Sequence, residues 1–418
     1  MSPLRFGRAL FLSADPALVR AQLAGRVLTQ AEAGALRDDI STDEISPLPA
    51  MVHFDAALGR HAHTGFSAGG ERPIGRDALQ NAGIGVLVAG RRYGKGSSRE
   101  HSPVAELSAG VRLVIAESFE RIYRQNADNL GLFTSTDFGL LDRIERGEAI
   151  GIDELLAGRD ALAAAVLRAG GLLAHGRQPQ PAVETPAPSG PLTLFEKIVV
   201  RHASQPLQAG EGGFVRADWR FIHEYYTGMA AWLLQAEFGD RLALHEPASI
   251  VAFEDHLSYV HRSPVHVAQG LLGGVLGLSR AHRAFVERFG LRHHGYLEPG
   301  LDAGDPGNRG SQGISHAMMA ERYALPGQLM AGTDSHTPHS GALGCVAFGI
   351  GTTDMAWRPA PSRASCCRSR RCKRVAAEPG SAGHRSGPLR CAPPATHETP
   401  RRAGRLLSAR RRHSFEVS

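Results

Sequence analysis

Between residues 84 and 116 the chain runs through an apolar segment, a glycine-rich loop, a helix-forming stretch and a second apolar segment. No other feature constrains the fold as strongly. Ile84-Gly85-Val86-Leu87-Val88-Ala89 is apolar throughout, without polar alternation, which predicts a strand buried on both faces and ending at Gly90. Residues 111–116 predict a second buried strand, and 103–109 between them predict a helix. Two buried strands joined through a helix form a parallel crossover. Residues 1–176 therefore read as one α/β unit, with Asp15-Pro16 marking a helix start by N-cap and first-turn proline.

Composition narrows the class. The chain has 418 residues, 42% hydrophobic and 21% charged, enough for two to four domains of ordinary size. No apolar run reaches the ~20 residues of a membrane span. The nearest, 265–278, is too short and contains His266 and Gln269. The first eleven residues have Arg5 and Arg8 but no sustained apolar core behind them, so no secretory signal is read. A membrane protein, a fibrous protein and a disulfide scaffold are excluded. Fifteen of the 47 Lys and Arg, but only three of the 41 Asp and Glu, lie from Trp357 onward. That end carries a net +12 and everything before it a net −6. Of five cysteines, only Cys345 precedes this basic end; Cys366, Cys367, Cys372 and Cys391 lie within it. A single cysteine in the body fits a reducing, cytoplasmic setting.

Residues 177–191 hold five prolines and predict a semi-rigid linker. A second domain spans 192–355. Helical stretches are expected at 152–173, 221–238 and 264–289, and strands at Ile250–Phe253 and 328–331. Residues 342–350 are small and apolar, fit for tight helix or strand packing. Residues 356–418 show no sustained period of either kind, and no internal repeat is present.

Three motifs carry chemistry. In Tyr93-Gly94-Lys95-Gly96-Ser97-Ser98-Arg99-Glu100-His101, two glycines let backbone amides approach a ligand, and the following helix adds its positive end. Arg99 offers a fork suited to a carboxylate or phosphate. The Lys-Ser/Thr ending of a Walker loop is missing, and a turn with a capping serine would give the same pattern. Asp255-His256 follows an apolar strand, where a carboxylate beside an imidazole can tune an acid or base. Neighbours on a strand point to opposite faces, so the two need not touch, and a structural pair reads the same way. Gly332-Thr333-Asp334-Ser335-His336-Thr337-Pro338 follows the strand at 328–331, at the strand end where α/β folds place their sites. With Gly313-Ile314-Ser315-His316 upstream, His316, Asp334 and His336 could form an acid/base network or a metal site; with 20 histidines in the chain, some clustering is expected by chance.

Together these motifs resemble the aconitase and 3-isopropylmalate dehydratase superfamily. Gly96-Ser97-Ser98-Arg99-Glu100-His101 is similar to the motif of its swivel domain. Asp39-Ile40-Ser41-Thr42-Asp43-Glu44-Ile45-Ser46-Pro47 is similar to the same domain's Thr-Asp-x-Ile-x-Pro loop, and Ser118-Phe119-Glu120-Arg121-Ile122 to its following elements. Thr193-Leu194-Phe195-Glu196-Lys197-Ile198 resembles the opening of the large catalytic domain, and the Asp255, His316 and Asp334 motifs follow in that family's order. The resemblance covers most of residues 38–355. It implies an α/β fold: a swivel domain with a parallel or mixed sheet and flanking helices over 1–176, then the N-terminal part of a three-layer α/β catalytic domain.

The implied activity is a hydro-lyase or isomerase reaction, in which a 2- or 3-hydroxy di- or tricarboxylic acid, isopropylmalate- or citrate-like, is dehydrated and rehydrated at a [4Fe-4S] cluster. By resemblance Ser97 is the base, Asp255 and His256 the acid pair, and His316, Asp334 and His336 the network around the bound water. Ser98, Arg99 and Ser335 hold substrate. Two departures stand out. The swivel precedes the catalytic part, the reverse of single-chain aconitases. The family's three cluster cysteines have no counterpart before 356, so no cluster ligand is assigned in this chain. The tail at 356–418 reads as an out-of-frame or aberrant stretch, its rival being a genuine basic, anion-binding tail. An inactive fragment and a nucleic-acid binder acting through the tail are the competing functions, the latter disfavoured by the acidic body. A small carboxylate substrate and no membrane are expected; oligomeric state is left open.

Overall fold

The computed structural model describes residues 3–178, 190–203, 207, 212–239, 242–263, 272–356 and 372–376. Met1–Ala377 cluster as one compact unit; the second, Glu378–Ser418, lies wholly outside the described residues, as do most of the Pro-rich linker and Cys366, Cys367 and Cys391. The first sheet contains β1 (Arg8–Phe11), β2 (Ile84–Ala89), β3 (Leu113–Ala116) and β4 (Phe133–Ser135) in that order, all parallel. β2 is buried at every position, as an unalternated apolar run requires. Helix α1 (Pro16–Leu23) starts at Asp15, whose carboxylate accepts the Ala17 N–H at 2.8 Å. The crossover from β2 to β3 is α2 (His101–Ser108), and α3 (Arg121–Leu130) follows β3.

The second sheet has the order β10-β9-β6-β7-β8 and is also parallel: β6 (Trp219–His223), β7 (Ile250–Phe253), β8 (Arg292–His294), β9 (Leu329–Gly332) and β10 (Val346–Gly349). Among its helices are α4 (Glu224–Phe238), α5 (Leu272–Phe289), α6 (Ser315–Arg322) and α7 (Thr352–Ala356). The strands at Ile250–Phe253 and 328–331 fall where the sequence places them, the second shifted by one residue.

Three expectations need correction. The stretch 152–173 is three short helices, because Gly158, Gly170 and Gly171 take positive φ and Asp160 caps a new start at Ala161 by accepting the Ala163 N–H. Residues 221–223 are strand, not helix: the apolar run that looks helical is the buried end of β6, and α4 begins only at Glu224. The tail contributes a strand, β11 (Cys372–Ala376), antiparallel to β5 (Gly212–Arg216). Pairing on an open edge is made by backbone groups, so it needs little side-chain pattern. Residues 264–271 lie outside the description.

The two sheets share one core. Tyr93 and Tyr123 from the first half cluster with Ile222, Met229, Ala230, Ile350 and Met355 from the second. Within the first half, the enclosed Glu106 carboxylate accepts hydrogen bonds from the Tyr93 and Tyr123 hydroxyls and lies 3.0 Å from His63 Nε2. Gly94 must be glycine twice over: its φ is +81°, and a Cβ would lie 2.1 Å from Tyr123 Cγ. Among the described residues no helix is long and apolar enough to cross a membrane.

Candidate active site

The strands of the second sheet end together, and their C-terminal ends deliver polar residues to one edge. β6 ends in His223 and leads to Glu224, β7 leads to Glu254-Asp255-His256, and β9 leads to Thr333-Asp334-Ser335-His336. Asp255 and His256 lie past the end of β7, where strand alternation no longer applies, and they do touch. His256 Nδ1 is 2.6 Å from Asp255 Oδ1, while Asp255 Oδ2 accepts the Ser315 N–H at 2.6 Å. That second bond ties the pair to the start of α6, which carries His316.

His256 is held by more than Asp255. Its ring stacks on His223 at 3.7 Å between centroids and 8° between planes. Glu224, fully enclosed, accepts the N–H groups of His256 and Leu257 at 2.7 Å each. Burial works against charge on His256, but the Asp255 hydrogen bond and the charges of Asp255, Glu224 and Asp334 outweigh it and push the imidazole up to about 9. His223 moves the opposite way, well below its usual range, because burial and the neighbouring His256 both disfavour a second charge. Burial and the Asp255 charge, opposed by His256, raise the Glu224 carboxyl to about 7. A cleft lined by Tyr225, Asp255, His256, Leu257, Tyr259 and Ser263 opens beside this group.

Asp334 organises the second cluster. His316 Nδ1 lies 2.7 Å from its Oδ2; His336 Nδ1 lies 3.2 Å from its Oδ1, which also accepts the His336 N–H at 2.9 Å. Burial opposes ionisation, yet the His336 N–H and His316 hold the carboxyl below its usual range. Ser335 sits at the mouth, its hydroxyl 3.5 Å from His336 Nδ1.

The glycine-rich loop of the first half closes on this edge. The Ser98 hydroxyl donates to the Thr333 carbonyl, and the Ser97 hydroxyl is hydrogen-bonded to the Tyr226 hydroxyl on α4. Glu100 Oε2 accepts the Thr353 N–H at 2.6 Å and the Thr352 hydroxyl at the start of α7. Asn126 donates to the Ser98 carbonyl at 3.0 Å. Buried, Arg99 directs Nη1 to Ser46 O at 2.8 Å and Asp43 Oδ1 at 2.7 Å, so an internal carboxylate engages one corner of its guanidinium.

Every residue singled out by sequence thus reaches one edge, Arg99 through its loop. His223, Glu224 and Tyr226 were missed. They sit in a stretch read as helix interior, and only its correct division into strand and helix would have put them at a strand's end.

The family model for the aconitase family (aconitate hydratase) matches residues 196–361, and that for the aconitase C-terminal domain matches 76–136. The 3-isopropylmalate dehydratase small subunit of Pyrobaculum aerophilum is 36% identical over 151 residues, covering 32% of this chain and 89% of that protein. The chain belongs to the aconitase family. Its two family segments come in the order expected from sequence, the C-terminal-type domain first. The second half is similar to the methanogen homoaconitase large subunit of Methanocaldococcus jannaschii, 32% identical over 166 residues. That match covers 40% of this chain and 33% of the relative, so the chain spans about a third of that large subunit. A solved 3-isopropylmalate dehydratase structure from the same organism is 29% identical, covering 33% of this chain and 86% of that one, with a TM-score of 0.25.

Members of the aconitase family generally use an iron–sulfur cluster, and such clusters are held by thiolates. The site does not fit one. Cys345 precedes β10 and so lies at the opposite end of the sheet, buried and donating to the Leu325 carbonyl at 3.1 Å. The donors gathered at the edge are imidazoles and carboxylates.

Proposed function

We propose that the chain is built for its family's hydro-lyase reaction, removing and adding water across adjacent carbons of a hydroxy di- or tricarboxylic acid. One observation carries this reading: the Ser97-Ser98 loop is hydrogen-bonded to Thr333, next to Asp334, and to Tyr226, just after the His223 that stacks on His256. A base candidate and an acid candidate therefore come from two halves of the molecule to the same edge of the second sheet.

His256, pushed up to about 9, is an imidazolium at neutral pH and can protonate a departing hydroxyl. Asp255 fixes its orientation through Nδ1. Ser97, as its alkoxide, takes the carbon-bound proton and becomes a neutral hydroxyl, the Tyr226 hydroxyl being positioned to stabilise the alkoxide before that transfer. Ser98, Ser335 and Arg99 bind substrate carboxylates; Arg99 does so by exchanging Asp43, whose side chain is exposed, for the substrate. His316, Asp334 and His336 form the polar wall opposite. The closed loop excludes water from the reacting carbons.

That the donors at this edge, among the described residues, are imidazoles and carboxylates favours a second reading, that this chain binds substrate but does not turn it over unaided. The two readings are separated by offering isopropylmalate, citrate and homologous hydroxy acids, following the unsaturated product by ultraviolet absorbance and binding by calorimetry. Turnover abolished by Ser97→Ala supports the first reading. Carboxylate binding without turnover supports the second, and neither binding nor turnover overturns both.

A further inference from the structure

We propose that His316, Asp334 and His336 form a mononuclear site for one divalent cation of the borderline class, such as Zn²⁺, Co²⁺ or Fe²⁺. In the function proposed above these residues serve only as a hydrogen-bonded wall, and the cation site does not depend on that reading.

The geometry is that of a chelate. Asp334 is only 3% exposed, and each of its oxygens faces a different imidazole: Oδ2 to His316 Nδ1 at 2.7 Å, Oδ1 to His336 Nδ1 at 3.2 Å. Ligand atoms about 2.1 Å from a metal and roughly 90–110° apart lie about 3.0–3.4 Å from one another. The observed separations need only a small adjustment to admit an ion. The carboxylate is fixed before any ion arrives, by the His336 N–H at 2.9 Å and by the Ser315 hydroxyl at 3.3 Å. Such supporting bonds orient metal ligands.

The surroundings also suit an ion. The His316 and His336 rings lie 5.0 Å apart and 29° from parallel, and His339 packs edge-on to His316 at 5.6 Å as a further imidazole. The His336 side chain is 72% exposed, which leaves an entry path and open coordination positions for water or a substrate oxygen. Two imidazoles and a carboxylate with open positions select borderline first-row divalent cations rather than Ca²⁺ or Mg²⁺. The neighbouring group of His223, Glu224, Asp255 and His256 is less suited, because His223 and Glu224 are enclosed and Glu224 Oε1 already accepts two backbone N–H groups.

The test uses the untagged full chain, stripped with chelator and titrated with Co²⁺ and Zn²⁺ by calorimetry, with the Co²⁺ visible spectrum recorded in parallel. We expect one ion per chain and a cobalt spectrum without the intense near-ultraviolet band of thiolate ligation. His336→Ala is the decisive variant, since an exposed side chain can be removed without disturbing the fold, which circular dichroism checks. It should weaken binding at least tenfold, and His316→Ala likewise. His53→Ala, which breaks the stacked His53–His61 pair elsewhere, should leave binding unchanged. No stoichiometric binding, binding unaltered by His336→Ala, or a thiolate-type spectrum would each overturn the proposal.

Discussion

Asp255→Asn should move the titration of His256 by a large and measurable amount. In the folded chain the imidazole is pushed up to about 9 from an ordinary value of 6.5. At about 1.4 kcal/mol per tenfold change in acidity that gap is worth about 3 kcal/mol, which partial exposure of the ring brings nearer to 2. Burial alone would lower the value, so the rise comes from the Asp255 hydrogen bond and the surrounding carboxylates. Asparagine keeps the shape of Asp255 but removes its charge, and the midpoint should fall by roughly 2 pH units, the effect of one close opposite charge. The sign for stability follows. Because the folded value is raised, the contribution is complete below pH 6.5 and is lost as pH rises from 6.5 through 9. Wild type should therefore lose stability across that window, and Asp255→Asn should lose much less. The assay is NMR titration of ¹³C-labelled histidine, with the His256 signal assigned by His256→Ala, beside urea unfolding at several pH values. A wild-type midpoint near 6.5, or a midpoint near 9 that survives Asp255→Asn, would refute the reasoning.

Three further perturbations test the packing. Gly351→Ala places a Cβ 2.3 Å from Asn126 Oδ1 and 3.0 Å from Glu100 Oε2, so it should force the two halves apart and cost about 1–3 kcal/mol in urea unfolding. Glu106→Ala strands the enclosed His63, Tyr93 and Tyr123 polar groups and should cost about 3–5 kcal/mol, whereas Tyr93→Phe should cost about 1–2, both read from denaturant midpoints. Glu100, raised by burial to about 7, stabilises fully only below about pH 4.5 and loses that contribution as pH rises through 7. Glu100→Gln should therefore raise the unfolding temperature at pH 8 and have little effect at pH 4.

The parts of the fold legible in the sequence are those where one local rule decides. β2 and β7 are unbroken apolar runs, and the Asp15-Pro16 start is fixed by a cap that the structure retains. The boundary at His223-Glu224 was not legible, because an apolar strand running directly into an apolar helix leaves no polar period to mark the change. That boundary hid the residues that set the state of His256. The engagement of Arg99 was not legible either: a sequence shows which anion an arginine could bind, but not that Asp43 lies beside it. The strand at Cys372–Ala376 rests on backbone pairing with an open edge, which composition does not encode.

The contact between the halves bears on how the site can work. A domain that must open to admit substrate is better held by hydrogen bonds that water can replace than by a wholly apolar seam. One edge of the contact is of that kind: Glu100 to Thr352 and Thr353, and Gln125 and Asn129 to Asp354 at 2.9 and 3.0 Å. Behind it Tyr93, Tyr123, Met229 and Met355 share one core, which favours the closed arrangement. Opening is therefore expected to be local, with the Ser97-Ser98 loop and α7 separating while the shared core stays packed. Asp354→Ala should loosen that edge and speed amide exchange in 97–100 and 352–355 without lowering the global unfolding midpoint by more than about 1 kcal/mol. If exchange instead rose equally through Met229 and Tyr123, the halves would separate as rigid bodies and the polar edge would not be the hinge.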